Sequence, residues 1–456
     1  MTSRFLNVIC VGLLVVCAPV VTRAADAPEW KAAAAAVKIT PTKSMWMMGF
    51  ASRTQPSTGV LQDIYAKALA IEDAAGTRLV VLTYDLVGLP RTLRQSLVKR
   101  CATAYQLAPD ALLLNSSHTH SGPELRLHGV NADDIDVLDE AAAEAYGQEV
   151  EEKCFRMIGE VLQKLAPARL DYVHARAGFA MNRRRPTDKG VSNAPFSDGP
   201  VDHNVPVLRV TSPDGKQLRA VLFGYACHNT SLSLLQISGD YAGYAQEYIQ
   251  TAHPDAVALF MLGCGGDQNP YPRRTPDYAA QHGRALANAV ETALDTVPKP
   301  LIGPLRVAFG EVALDYAPLP PRAELQRLVD LNQKYVSRHA KWVLEKMDQS
   351  RLPTSYPCPV QVVRIGGDFV LAALGGEAVV DYSLRLQREL TGPIVWVAAY
   401  SNEVFAYIPS RRVLTEGGYE AGGAMDFSPT HPGPWAPSVE ERIIAKVHEL
   451  DGRLRR

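Results

Sequence analysis

Leu112-Leu113-Leu114-Asn115-Ser116-Ser117-His118-Thr119-His120-Ser121-Gly122-Pro123-Glu124 is the stretch from which the fold of this chain is read. Its apolar start predicts a buried strand over Ala111 to Ser117. Gly122-Pro123 marks the end of that strand and the start of a loop. His118 and His120 stand at the break. On an extended backbone residues i and i+2 share a face, so both imidazoles are expected to look into one cleft. Clefts at strand ends are where α/β folds commonly bind ligands, and imidazole is the commonest protein ligand for metals. An isolated His-x-His also serves as a plain hydrogen-bonding pair, so the surrounding chain has to decide.

Outward from this stretch the same pattern recurs. Leu218 to Ala226 reads as a strand that runs into Cys227-His228-Asn229-Thr230. Phe369 to Leu374 ends in Gly375-Gly376-Glu377, and Ile394 to Ala399 is followed by Asn402 to Tyr407. The glycine pair allows a sharp turn before Glu377. A catalytic zinc takes three or four such ligands and an open position for water. A sheet presents its strand ends side by side, so ligands far apart in sequence can converge.

Between these segments the periodicity predicts a hairpin from Ala66 to Thr83 and helices over Arg91 to Tyr105, Ala141 to Leu165, Tyr241 to Thr251 and Tyr278 to Thr296. Glu324 to Gln349 reads as one charged helix, and Glu440 to Arg455 as a closing amphipathic one. Arg183-Arg184-Arg185 reads as a solvated loop at the end of a strand. Strands and helices alternate without a long linker. The expected class is therefore α/β: a mixed β-sheet core with flanking helices in a single large domain.

Composition narrows the functions. The 456 residues are 47% hydrophobic and 21% charged with net charge −1, which fits a globular protein and no nucleic-acid partner. Arg4, the apolar run Phe5 to Val21 and Thr22-Arg23-Ala24 read as a secretory signal peptide over residues 1–24, leaving 25–456 as the exported chain. A secreted or periplasmic location follows. No later stretch is long and apolar enough to span a membrane. Cys10 and Cys17 leave with the leader. The remaining five, Cys101, Cys154, Cys227, Cys264 and Cys358, form no Cys-x-x-Cys and imply neither a disulfide scaffold nor a structural zinc knot.

The residues also carry a resemblance. The chain resembles the N-terminal, catalytic domain of the neutral/alkaline (non-lysosomal) ceramidase family. The matching pieces are Asp63 to Leu69, His118-Thr119-His120-Ser121-Gly122-Pro123, Met181-Asn182-Arg183, Val201-Asp202, the His228 block, Gly239-Asp240-Tyr241, Gly266-Asp267, Gly376-Glu377, and Tyr407 through Tyr419-Glu420. The resemblance implies a zinc-dependent amidase. It places His118, His228, Glu377 and Tyr407 on the zinc, His120 beside it as proton carrier, and Arg183 and Tyr419 along the site, where they are expected to stabilise the oxyanion or orient the acyl group. It implies a ceramide-like N-acyl lipid as substrate. An N-acylated sugar or amino acid, or a non-catalytic exported binding protein of the same fold, is the alternative. On the residues alone His228 also reads as a core histidine, Glu377 as a helix cap and Tyr407 as a hydrogen-bonding group. Asp240 and Asp267 read as turn residues. Two features depart from the family. Its members carry a further C-terminal β-sandwich domain, and its Gly-Asp-x-Ser-Pro-Asn block is here Gly266-Asp267-Gln268-Asn269-Pro270-Tyr271, with Asn269 in the serine's place.

Overall fold

The computed structural model describes residues 30–127, 139–427 and 430–455. The leader read in residues 1–24 lies outside the described residues.

Strict alternation of apolar side chains builds the framework. In the strand Arg78–Tyr84, Leu79 and Val81 point to one side while Val80, Leu82 and Tyr84 point to the other. Leu218–Tyr225 does the same, with Ala220 and Leu222 opposed to Val221, Phe223 and Tyr225. Both faces of these strands are apolar, so both must be covered. One side packs against a second sheet, and the other packs against helices.

The larger sheet has nine strands. Its main path runs Val257–Leu262, Leu218–Tyr225, Asn204–Thr211, Ala166–Arg176, Trp30–Lys38, Tyr65–Asp73, Arg78–Tyr84 and Leu112–Ser116. The two outermost pairs are parallel and the inner ones antiparallel. The second sheet holds Leu305–Asp315, Ser355–Ile365, Phe369–Leu374 and Ile394–Ala398, the last two parallel. Between the sheets lies one apolar layer, in which Leu69, Val81, Leu113 and Leu222 meet Val363, Leu371 and Trp396. Helices Arg91–Tyr105 and Glu140–Gln163 cover one outer region. Asp240–Ala252 and Pro276–Leu294 cover the next, and Val380–Glu389 and Val439–Leu454 cover the second sheet. The expected α/β class with a mixed sheet and flanking helices is what the chain forms, as a four-layer arrangement with two sheets.

Two expectations need correction, and one strand was not foreseen. The arginine run is not a solvated loop: Ala180–Thr187 is a strand paired with Gly190–Phe196 and Gln268–Pro270, and Arg183 and Arg184 are buried. The charged helix is two, Arg322–Asp330 and Lys334–Asp348, broken where Asn332 takes a left-handed φ of 52°. Trp30–Lys38, whose alanine run carries no clear period, is a strand in the middle of the large sheet. All five described cysteines are free and buried. No described helix is long and apolar enough to cross a membrane.

Candidate metal centre

The ends of both sheets meet at one seam. Isolated bridges join Asn115 to Ser401 and Gly263 to Ala398, tying strand ends of the first sheet to those of the second. The buried Asn115 amide reinforces the tie: its Nδ2 donates to Ala399 O (2.7 Å) and its Oδ1 accepts from Leu262 N (2.8 Å). Glu377 and Tyr407 sit opposite each other in a two-residue parallel pairing beside this seam. Gly376 makes the entry possible. Its φ is +72°, and a Cβ there would lie 2.8 Å from Ala406 O.

His118 arrives differently from the extended-strand expectation. The strand stops at Ser116, and His118 adopts a left-handed φ of 58°. The two imidazoles still converge, through this kink and not through strand alternation. Their rings stand edge to face with centroids 4.7 Å apart, and the Nε2 atoms are 3.1 Å apart. His228, buried completely, completes a group of three imidazoles whose ligand atoms lie within 4.8 Å of one another.

Hydrogen bonds at the far side of two rings decide what the near side offers. His118 Nδ1 donates to Val87 O (2.5 Å), and His228 Nδ1 donates to Gly265 O (2.6 Å). A carbonyl only accepts, so Nδ1 carries the hydrogen and each Nε2 presents a lone pair. Both lone pairs meet Glu377 Oε2, at 3.1 and 3.3 Å. Acceptors thus face an anionic acceptor in a dry place. A buried acceptor without a donor costs about 1–3 kcal/mol, and a cation is the group that turns such a cluster favourable. Carbonyl-oriented imidazoles around a carboxylate are also the donor set zinc prefers. The residues therefore fit a divalent metal.

The surroundings hold the cluster rigid. Tyr407, 3.2 Å by its hydroxyl from His228 Nε2, accepts from Arg183 Nη2 (3.0 Å). Tyr400 points its hydroxyl at Glu377 Oε2 (3.5 Å). Burial, and then Arg183, push His228 down to about 3. His120 is lowered as well, by burial and then by the other two imidazoles. Of the three rings, His120 is the one whose Nδ1 is buried without a partner. Gly49, at φ +103°, lies flat against that ring, and a Cβ there would be 2.6 Å from His120 Nδ1.

The structure brings together six of the seven residues expected from the sequence. His118, His228, Glu377, Tyr407, His120 and Arg183 form one connected cluster. The seventh, Tyr419, is 39% exposed and stacks edge-on to Tyr407 at 5.4 Å, at the mouth and not at the floor. Arg183 has no free nitrogen: Nε donates to Glu420 (2.8 Å), Nη1 to Asn269 Oδ1 (3.3 Å) and Nη2 to Tyr407. The sequence reading missed Glu420 as a partner, although it lies next to Tyr419. Its carboxylate serves both Arg183 and Arg184, the latter at 2.6 Å, and all three are buried. Tyr400, Phe50 and Arg53 were missed too. Phe50 packs edge-on to His120 (4.8 Å), and Arg53 Nη2 donates to His120 O (2.6 Å). None of these carried a motif. Asp267 and Asp240 hold backbone N–H groups of Val380 and of Ser231 and Leu232, as structural residues do.

Comparison with known proteins gives a consistent result. Residues 34–270 match the family model described as neutral/alkaline non-lysosomal ceramidase, N-terminal. The chain is 28% identical over 299 residues to the neutral ceramidase of Pseudomonas aeruginosa, covering 61% of this chain and 43% of that protein. It is 24% identical over 251 residues to neutral ceramidase A of Dictyostelium discoideum, covering 50% and 34%. The match thus spans less than half the length of these relatives. The crystal structure of the Pseudomonas aeruginosa neutral ceramidase has a similar fold, with TM-score 0.72, 20% identity, and 94% of this chain and 75% of that one covered. A ceramidase complexed with C2 superposes at TM-score 0.71 and 21% identity, covering 94% and 76%.

Proposed function

The chain belongs to the neutral/alkaline non-lysosomal ceramidase family, and from that premise we propose that it is a zinc-dependent amidohydrolase acting on an N-acyl, ceramide-like substrate. The observation that carries this reading is the pair of carbonyl-oriented imidazoles whose lone pairs face Glu377 Oε2. His118, His228, Glu377 and the Tyr407 hydroxyl would hold the zinc, which when bound would polarise the amide carbonyl and lower the pKa of water to ~7.

The remaining work falls to the protein. His120 touches His118 through its Nε2, and among the described residues its Nδ1 has no partner. It would take a proton from the attacking water and hand one to the departing amine, the role of a general base and acid. Arg183, fully engaged, acts through Tyr407 and Asn269 by fixing their polar atoms; it is a positioning residue. Tyr419, at the mouth, would lie along the acyl chain. Asn269 accepts from Arg183 (3.3 Å) and Thr230 (3.2 Å), and its Nδ2 reaches only Tyr271 OH at 3.5 Å. An amide is no nucleophile, so the reading includes direct attack by water and no acyl-enzyme. Export belongs to the same proposal and rests on the leader sequence.

The test is metal content together with turnover of N-acyl amides. Chelation should abolish hydrolysis, added zinc should restore it, and His228→Ala should lose both metal and rate while its circular dichroism stays native. Stoichiometric zinc in His228→Ala, or a trapped acyl adduct on the wild type, would overturn the assignment.

A further inference from the structure

Resting on the amide-hydrolase reading above, we propose that the substrate bears an anion, a carboxylate or a phosphate ester, on its amine-derived half, and that Arg273 reads it with Arg274 beside it. Ceramide itself is neutral there, so this separates the chain's preference from that of the plain lipid.

The two arginines sit on the loop just after the Asn269 strand. Arg274 N–H donates to Ser231 O (2.6 Å), which ties the loop to the segment that carries His228. Its backbone takes a left-handed φ of 94°, a conformation that costs a non-glycine residue energy. Arg273 Nη1 lies 3.4 Å from Thr230 Oγ1, and that hydroxyl donates to Asn269 Oδ1. A continuous polar chain therefore leads from Arg273 through Thr230, Asn269, Arg183 and Tyr407 to His228. On the other side, the Arg274 guanidinium stands 5.5 Å over the Phe50 ring, the ring packed against His120. Both cations thus border the proposed reaction centre.

What sets them apart, among the described residues, is a guanidinium with neither a carboxylate nor a carbonyl on it. Among the described residues neither Arg273 nor Arg274 has a carboxylate within ion-pair distance. Elsewhere buried or half-buried arginines are either paired, as are Arg183 and Arg184 with Glu420, Arg364 with Asp451, Arg412 with Asp381, and Arg91 with Glu311 and Glu403, or, like Arg53 and Arg94, spent on carbonyl oxygens. Arg273 is only partly exposed. Burial, and the like charges of Arg274 and Arg183, push its guanidinium down against a raising influence of Tyr271. A partly desolvated cation among cations is unfavourable until an anion arrives. A planar guanidinium matches a carboxylate or phosphate through two parallel hydrogen bonds. A neutral alcohol headgroup offers no such compensation.

The experiment uses the zinc-loaded chain and matched substrates that differ in charge alone. N-dodecanoylglycine is compared with N-dodecanoylglycinamide, and phosphorylated ceramide with ceramide. The charged member of at least one pair should have the higher kcat/KM, by about 10- to 100-fold, the worth of a charge-assisted hydrogen bond. Preference confined to the first pair assigns a carboxylate, and preference confined to the second a phosphate. Arg273→Gln should collapse that ratio towards one, Arg273→Lys should restore part of it, and the exposed Arg274→Gln should reduce it less. Neutral substrates cleaved as fast as charged ones by the wild type, or both members slowed equally in Arg273→Gln, would overturn the proposal. If no member is hydrolysed, the parent hydrolase reading falls. Calorimetric binding then still decides the anion: tighter binding of the acid than of its amide, lost in Arg273→Gln, sustains it, and equal binding ends it.

Discussion

The floor of the site and its mouth are built on opposite principles. At the floor, His118, His228, Glu377 and Tyr407 come from strand ends of two sheets, and carbonyls or charged partners orient them. At the mouth, Tyr419, Phe427 and Met48 are each about two-fifths exposed, and the helix Lys334–Asp348 reaches over through Tyr335, which packs on Phe427. Tyr335 OH donates to Ala51 O across that opening. The floor is fixed by hydrogen bonds with one solution each. The mouth is held by ring contacts that tolerate sliding. On the proposed function, chemistry would belong below and the choice of what enters above.

Three substitutions separate the two regions. The largest effect is expected from His120→Ala, which should keep zinc while slowing turnover by about 10²–10⁴-fold, the worth of a general acid/base. Metal analysis and steady-state rates on one preparation check it, and zinc lost along with the rate would make His120 a ligand. Next is Glu420→Gln, which strands the buried Arg183 and Arg184 charges. Breaking a buried pair in this way costs about 3–5 kcal/mol, to be read by denaturant unfolding. A loss under 1 kcal/mol would mean the floor is looser than described. The smallest effect is expected at Tyr419→Phe. Among the described residues its hydroxyl has no hydrogen-bond partner, so the change should stay within about ±0.5 kcal/mol, roughly twofold in rate or less. A much larger drop in kcat would move Tyr419 from the mouth to the floor.

The floor was largely legible in the sequence because His118, His228 and Glu377 each follow an apolar run and a break. His118, His228 and Glu377 are polar residues that end buried strands, a signal that survives without any alignment. Tyr407 and Arg183 came from the family resemblance, since neither residue type announces a metal site by itself. The convergence of His118 and His120 was anticipated, but for the wrong cause: a left-handed residue turns the chain where alternation along a strand was expected. Arg184 and Glu420 could not be read as partners. They are 236 positions apart, and a run of three arginines beside a proline looks like surface until a distant carboxylate is placed under it. The alanine-rich strand Trp30–Lys38 hid for a related reason. Small residues give almost no periodic contrast, although in the fold that strand pairs on both sides.

The seam where the two sheets meet has a consequence for how the protein matures. Its four expected donors lie between residues 118 and 407, so joining His118 to His228 and His228 to Glu377 each closes a loop of roughly a hundred residues or more, with an entropic penalty. Such contacts form late, after the local hairpins and helices have already condensed. An ion that binds only when Val87, Gly265 and Ala406 have delivered their neighbours to the same spot binds the finished molecule and not its precursors. On the proposed function, metal uptake would thereby be a clock for the final step of folding. On the same reading, a chain with its sheets one residue out of register would be recognised by its failure to take up metal.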